Sequence, residues 1–296
     1  MVPLVILPVE REFLALIEEA ETLPVLLRSL AGQGKHDMMD GDDLPEATLR
    51  RLEAWAVPEY RGALRLIRHA DVAFAAEVLV RALVEFYAQV AWIHEGPTGD
   101  SRSQATRAAC LELGIASEAN EALTKKLSGW GTADPRVHEA AIQRLTDIQA
   151  IHAATGCRCS GQKWQVQPIL KQADAGGIQW PYGLWVISSA AAHQLLPGRV
   201  EVDLGDGTSD FLSIAHYAWR AALLEYVMRA FGLAGVRILD MINPAHAETL
   251  RVWIERFVTD QRMVDASHEK FDHVAMEQMN VVRAGLHERA GQPSSG

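Results

Sequence analysis

Cysteine is scarce in this chain. Only Cys110, Cys157 and Cys159 occur among 296 residues, too few for a disulfide framework and in keeping with a reducing, cytoplasmic setting. Basic residues are outnumbered as well, with 28 Lys and Arg against 38 Asp and Glu and a net charge of −10. That balance argues against a surface devoted to duplex nucleic acid or anionic lipid, where clustered cations must neutralise phosphates; a local basic groove stays open. No glycine-rich phosphate loop is present. The longest apolar stretch, near residues 70–93, is interrupted by Glu77, Arg81 and Glu85, which a bilayer tolerates poorly, so it reads as a buried helix and not a membrane span. The start, Met1-Val-Pro-Leu-Val-Ile-Leu-Pro8, lacks a basic n-region and a small-residue cleavage site, so no signal peptide is expected. Internal repeats, heptads and low-complexity linkers are also missing.

What remains is ample for a core. Hydrophobic residues make up 49% of the chain and charged residues 22%, the composition of a globular protein. The spacing predicts a mainly α fold: a single-domain multi-helix bundle over 1–296, with one short β-hairpin near 199–212. Phe13, Leu14, Ile17 and Leu27 recur at helical spacing from Glu10 to about Leu30, with Pro24 set to kink or split that run. Leu44 to Ala56 reads as a short helix, and Pro58 as the start of a long one ending at Gly96-Pro-Thr-Gly99. Asp134-Pro135 and Asn243-Pro244 open two further helices. Val200, Val202 and Leu204 alternate before Gly205-Asp-Gly207, the hairpin signal.

Two separated helical stretches place hydrogen-bonding groups among apolar ones. In the first, Arg81, Glu85 and Trp92 fall on one stripe at about 100° per residue; in the second, Tyr182, Ser189 and His193 do the same. Buried polar groups must find partners, so the expectation is that these helices face each other around a polar centre. Arg81 and Glu85, at i and i+4, can form an ion pair that sets helix register, or Arg81 can offer its planar fork to a carboxylate or phosphate. Ser189 and His193 are also i, i+4, yet no Gly-x-Ser-x-Gly elbow precedes Ser189, which weighs against a serine hydrolase.

The pattern Arg81-x-x-x-Glu85 followed by Trp92, then Tyr182 and Ser189-x-x-x-His193, resembles a widespread bacterial family of helical proteins catalogued as a domain of unknown function. The likeness spans about residues 60–230, with 1–56 and 235–296 as helical additions. It implies an α-helical intracellular fold and a shared polar centre at Arg81, Glu85, Ser189 and His193.

Other motifs read more plainly. Cys157-Arg-Cys159 with His152 lacks the second Cys or His pair of a structural zinc site, and no metal or cofactor is expected. No Glu-x-x-His pair marks a di-iron centre. The Asp203–Asp210 string lacks EF-hand spacing and reads as a turn. Arg158, Lys163 and Trp164, with Lys125, Lys126 and Trp130, could touch single-stranded nucleic acid, although a solvated loop with one anchoring tryptophan is the favoured account of them. Arg65-x-x-x-His69 is too short and Arg144 to His152 too long for the Arg–His spacing of helical toxin ribonucleases. His216 and Arg220 form another i, i+4 pair that could join the centre. The leading expectation is therefore a cytoplasmic protein binding a small anionic or nucleic-acid ligand at Arg81, Glu85, Trp92, Tyr182, Ser189 and His193, in a stress or phage-defence role. A metal-independent phosphodiesterase acting on RNA through His193 and Arg81 is the enzymatic alternative. A structural or homo-oligomeric interaction protein is the third reading.

Overall fold

The computed structural model describes residues 8–32, 44–69, 72–126, 134–157, 166–175, 182, 185–186, 201–203, 209–211 and 217–267. The fold is mainly α. Its helices are α1 (Pro8–Ala20), α2 (Leu23–Ala31), α3 (Leu44–Arg68), α4 (Ala76–His94), α5 (Gln104–Glu121), α6 (Pro135–Ala154), α7 (Val166–Ala175), α8 (Tyr217–Ile242), α9 (Pro244–Val258) and α10 (Gln261–Ser267). None of the described helices is long and apolar enough to cross a membrane.

Punctuation by proline acts in two ways. Pro24 lies in the first turn of α2, where a missing N–H costs nothing, and the Glu21-Thr22 turn separates α1 from α2 as the sequence implies. Pro58 does not start a helix. It sits inside α3, which runs unbroken from Leu44 to Arg68. Both Pro58 and Ala54, whose carbonyl it leaves unbonded, are on the exposed face, so water can satisfy that carbonyl. The real break comes later, at a short 3-10 turn over Ala73–Ala75, and α4 begins there. Asp134 caps α6 as its residue type predicts, accepting from the Arg136 N–H at 3.0 Å.

Helices α3, α4 and α8 pack side by side, α9 covers the far side of α8, and α5 lies against α3 and α4 with α6 on its outer flank. Leu16, Ile17, Leu23, Leu27, Leu83, Val84, Leu224 and Phe231 are among the residues withdrawn from water in one continuous cluster, each worth roughly 1.5–3 kcal/mol of transfer. Tyr60 stacks its ring 4.6 Å from that of Phe231 and donates its hydroxyl to the Ala20 carbonyl at 2.7 Å, tying the end of α1 to the core.

Arg220, Arg107 and Glu112 are among the charged groups buried in this frame, and each of the three is matched. The Arg220 guanidinium donates to the Ile67 and Arg68 carbonyls at 2.8 Å each, pairs with Glu10, and lies 4.6 Å over the Phe13 ring. It closes the C-terminus of α3, so it does not join the polar centre with His216, which lies outside the described residues. Arg107 does the same for α4, donating to the carbonyls of Ile93 and His94 at 3.0 Å each and to that of Arg102. Glu112 is wholly buried between Arg51 of α3 and Arg144 of α6. A carboxylate there without its arginines would be an uncompensated charge.

Candidate functional site

On α4, Arg81 donates its Nε–H to Glu85 Oε1 at 3.0 Å. Both side chains are about a third exposed, 30% and 33%, so the pair itself contributes little to stability. What makes it more than a surface pair is the arrival of a distant segment. The indole N–H of Trp185 reaches the same Glu85 oxygen at 3.4 Å, and the Arg81 guanidinium lies 6.0 Å from the Trp185 ring centre. Trp185 in turn stacks near Tyr182, centroids 6.3 Å apart and planes 21° apart. From α7, Lys171 places its ammonium 5.1 Å from the Tyr182 ring centre and Gln167 donates to the Tyr182 hydroxyl at 3.0 Å.

The result is a pair of half-exposed aromatic rings with one cation near each ring. Cations over aromatic faces are held by the ring quadrupole, at about 0.5–1 kcal/mol when exposed. The neighbouring carboxyl of Glu59 is pushed above its usual range, first by burial and then by the Glu85 charge, so this face is sensitive to added negative charge.

Of the residues expected to form the centre, Arg81, Glu85 and Tyr182 come together. Trp92 does not. It points into the core at 5% exposure, and its ring takes the Arg102 guanidinium at 5.1 Å. Eleven residues separate it from Arg81, about 16 Å along a helix axis; sharing a stripe is not sharing a site. Ser189 and His193 lie outside the described residues, as do Lys163, Trp164 and Trp130. Trp185, Lys171 and Gln167 are participants that the stripe reading missed. Trp185 was findable, being three residues after Tyr182 and hence a helical neighbour of it; no sequence signal points to the α7 residues.

A second feature lies towards the other end of α4. A pocket of about 260 Å³ is lined by Tyr87, Glu95, Ile169, Gln172 and Arg237 among others. Arg237 packs 4.9 Å from the Tyr87 ring centre and donates Nε–H to Glu95 at 2.8 Å. His94 and Arg237 together hold the Glu95 carboxyl down to about 2. Gln172 accepts from the N–H and hydroxyl of Thr98 at 2.7 and 3.0 Å, fastening α7 to the turn after α4. The pocket is small and its one guanidinium is already paired, so it offers a ligand less than the aromatic pair does.

The third cluster joins residues that the sequence keeps far apart. Cys110 Sγ of α5 lies 3.5 Å from His152 Nε2, near the end of α6, and 3.5 Å from Cys157 Sγ just beyond it. Gly156, at φ +68°, makes this possible. It ends α6 in a left-handed turn, with the N–H groups of Thr155 and Gly156 donating to His152 and Ala153 at 3.1 Å each, and the chain folds back to set Cys157 beside Cys110. The sequence reading saw His152 and Cys157 but not Cys110, 42 positions before His152 and with no motif around it.

No protein-family model, curated protein or solved structure matches this chain.

Proposed function

We propose that the protein binds a small anionic ligand carrying a flat ring, a nucleotide or the end of a single-stranded nucleic acid, at the centre built by Arg81, Glu85, Tyr182 and Trp185. The observation that carries this reading is the Tyr182–Trp185 aromatic pair with Lys171 and Arg81 on its flanks. Rings of this kind stack on any base, and the two cations stand where phosphate charge would lie. Arg81 spends its Nε on Glu85, which orients the fork and leaves its terminal nitrogens for a phosphate or carboxylate. The net charge of −10 favours a small ligand over a long polyanion, because the whole-chain field repels the latter. Ser189 and His193 belong to this centre in our reading, on the strength of their helical spacing from Tyr182.

The same reading makes the chain a cytoplasmic member of the helical family it resembles, with one domain and a defence or stress role. It also includes the hairpin near 199–212, supported by antiparallel pairing of Glu201–Asp203 with Ser209–Phe211. Catalysis on RNA by His193 and Arg81 is the enzymatic version, and an interaction protein without a ligand the structural one.

Calorimetric titration with a nucleoside monophosphate and with a short single-stranded oligoribonucleotide tests the proposal. Binding in the micromolar range is expected, weakened at least 10-fold, about 1.4 kcal/mol, by Arg81→Met and by Lys171→Met, with the fold unchanged by circular dichroism. Equal affinity in wild type and both variants would remove the site from consideration. Cleavage of the oligoribonucleotide that is lost in His193→Ala would make the protein an enzyme. No binding, together with unfolding of Arg81→Met, would make the pair a scaffold element.

A further inference from the structure

From the cluster at the α5–α6 junction we infer that Cys110, His152 and Cys157 bind a zinc-type divalent metal ion that fastens α6 to the body of the protein. The three ligand atoms all lie within 4.8 Å of one another. Zinc–sulfur bonds of about 2.3 Å and zinc–nitrogen bonds of about 2.0–2.1 Å, set at tetrahedral angles, put sulfurs about 3.8 Å apart and a sulfur about 3.5 Å from a nitrogen. The Sγ–Sγ and Sγ–Nε2 separations from Cys110 are both 3.5 Å, close to those values, and the remaining His152–Cys157 separation, within 4.8 Å, is the one that must shorten around an ion. The two sulfurs are too far apart for a disulfide, whose bond is about 2.05 Å.

The donor set itself suits zinc. Soft thiolates with an imidazole select zinc over magnesium or calcium. Binding releases the protons of the two thiols and needs no oxidant, since zinc stays divalent. Cys157 is partly exposed, which gives the ion a route in and leaves its fourth position to a donor beyond these three.

The architecture also supplies a reason for the metal. Of the twenty residues of α6, only Ile148 and His152 are buried. Along that stripe Arg144 pairs with Glu112, Ile148 packs, and His152 meets Cys110. One fully buried isoleucine, worth roughly 1.5–3 kcal/mol, with Ile151 packing against the core only in part, is little apolar anchorage for so long a helix. A metal bridging α5 to the end of α6 provides the rest.

The test uses the full chain, purified under reducing conditions without a polyhistidine tag. Elemental analysis is expected to find about one zinc per chain, and cobalt(II) titration to give the near-ultraviolet thiolate-to-metal band. Cys157→Ser, at a partly exposed position where folding is least threatened, is expected to abolish that band and to weaken zinc more than 100-fold, beyond the 10–100-fold typical of groups that only orient ligands. Chelation is expected to open α6 to protease in the wild type and to leave the already sensitive Cys157→Ser unchanged. Absence of stoichiometric metal, a cobalt band that survives Cys157→Ser, or a Cys110–Cys157 disulfide in place of metal would each overturn the inference, as would protease resistance of α6 that chelation does not alter.

Discussion

Replacing Gly96 with alanine strikes two things at once, and they can be separated. Gly96 ends α4 with φ +70°, its N–H donating to the Ala91 carbonyl at 3.3 Å. An L-residue in that left-handed region costs roughly 1–2 kcal/mol in any background. A Cβ there would also stand 3.1 Å from Arg107 Nη1 and 3.2 Å from its Cδ, closer than ordinary contact, so the guanidinium must move. Arg107 is 5% exposed and holds the carbonyls of Ile93, His94 and Arg102. Losing one such charge-assisted bond costs about 1.5–3 kcal/mol. Gly96→Ala is therefore expected to destabilise by about 2.5–5 kcal/mol in the wild type. In an Arg107→Met background only the backbone penalty remains, about 1–2 kcal/mol. Urea unfolding followed by tryptophan fluorescence, over the four members of the cycle, gives the coupling directly. If the two substitutions add to within about 0.5 kcal/mol, the Arg107 contact is not what Gly96 protects and the argument fails.

Two other expectations follow from buried and paired charge. Glu112→Gln leaves Arg51 and Arg144 without their carboxylate and is expected to cost about 3–5 kcal/mol, whereas Arg144→Gln, at a side chain 37% exposed, should cost less than about 1 kcal/mol; thermal melts in which the two variants shift alike would contradict the burial argument. Glu95, depressed from 4.5 to about 2 by His94 and Arg237, stabilises the fold above the unfolded carboxyl value, and that stability is lost as the pH falls from about 4.5 towards about 2. Glu95→Gln should flatten the acid side of the stability profile in that window. The difference will be modest because the side chain is 41% exposed to screening solvent, and unfolding midpoints that fall equally with pH in both proteins would refute it.

The helical character, the break just before Pro24, the cap at Asp134, the helix start at Asn243-Pro244 and the Arg81–Glu85 pair were all legible in the chain, since each depends on neighbours within about four positions, where helix geometry alone decides contact. Pro58 misled for a related reason: sequence shows its missing N–H but not that the carbonyl it frees faces water. Trp92 shares a stripe with Arg81 and still belongs elsewhere, because periodicity gives an angle about the helix axis and says nothing of what lies against each turn. Only tertiary packing brought Trp185 to Glu85 across 100 residues, Arg220 to Glu10 across 210, and Cys110 to His152 and Cys157. Local propensity chooses the helices; which of their faces meet is set by burying apolar surface and matching buried charge over the whole chain at once.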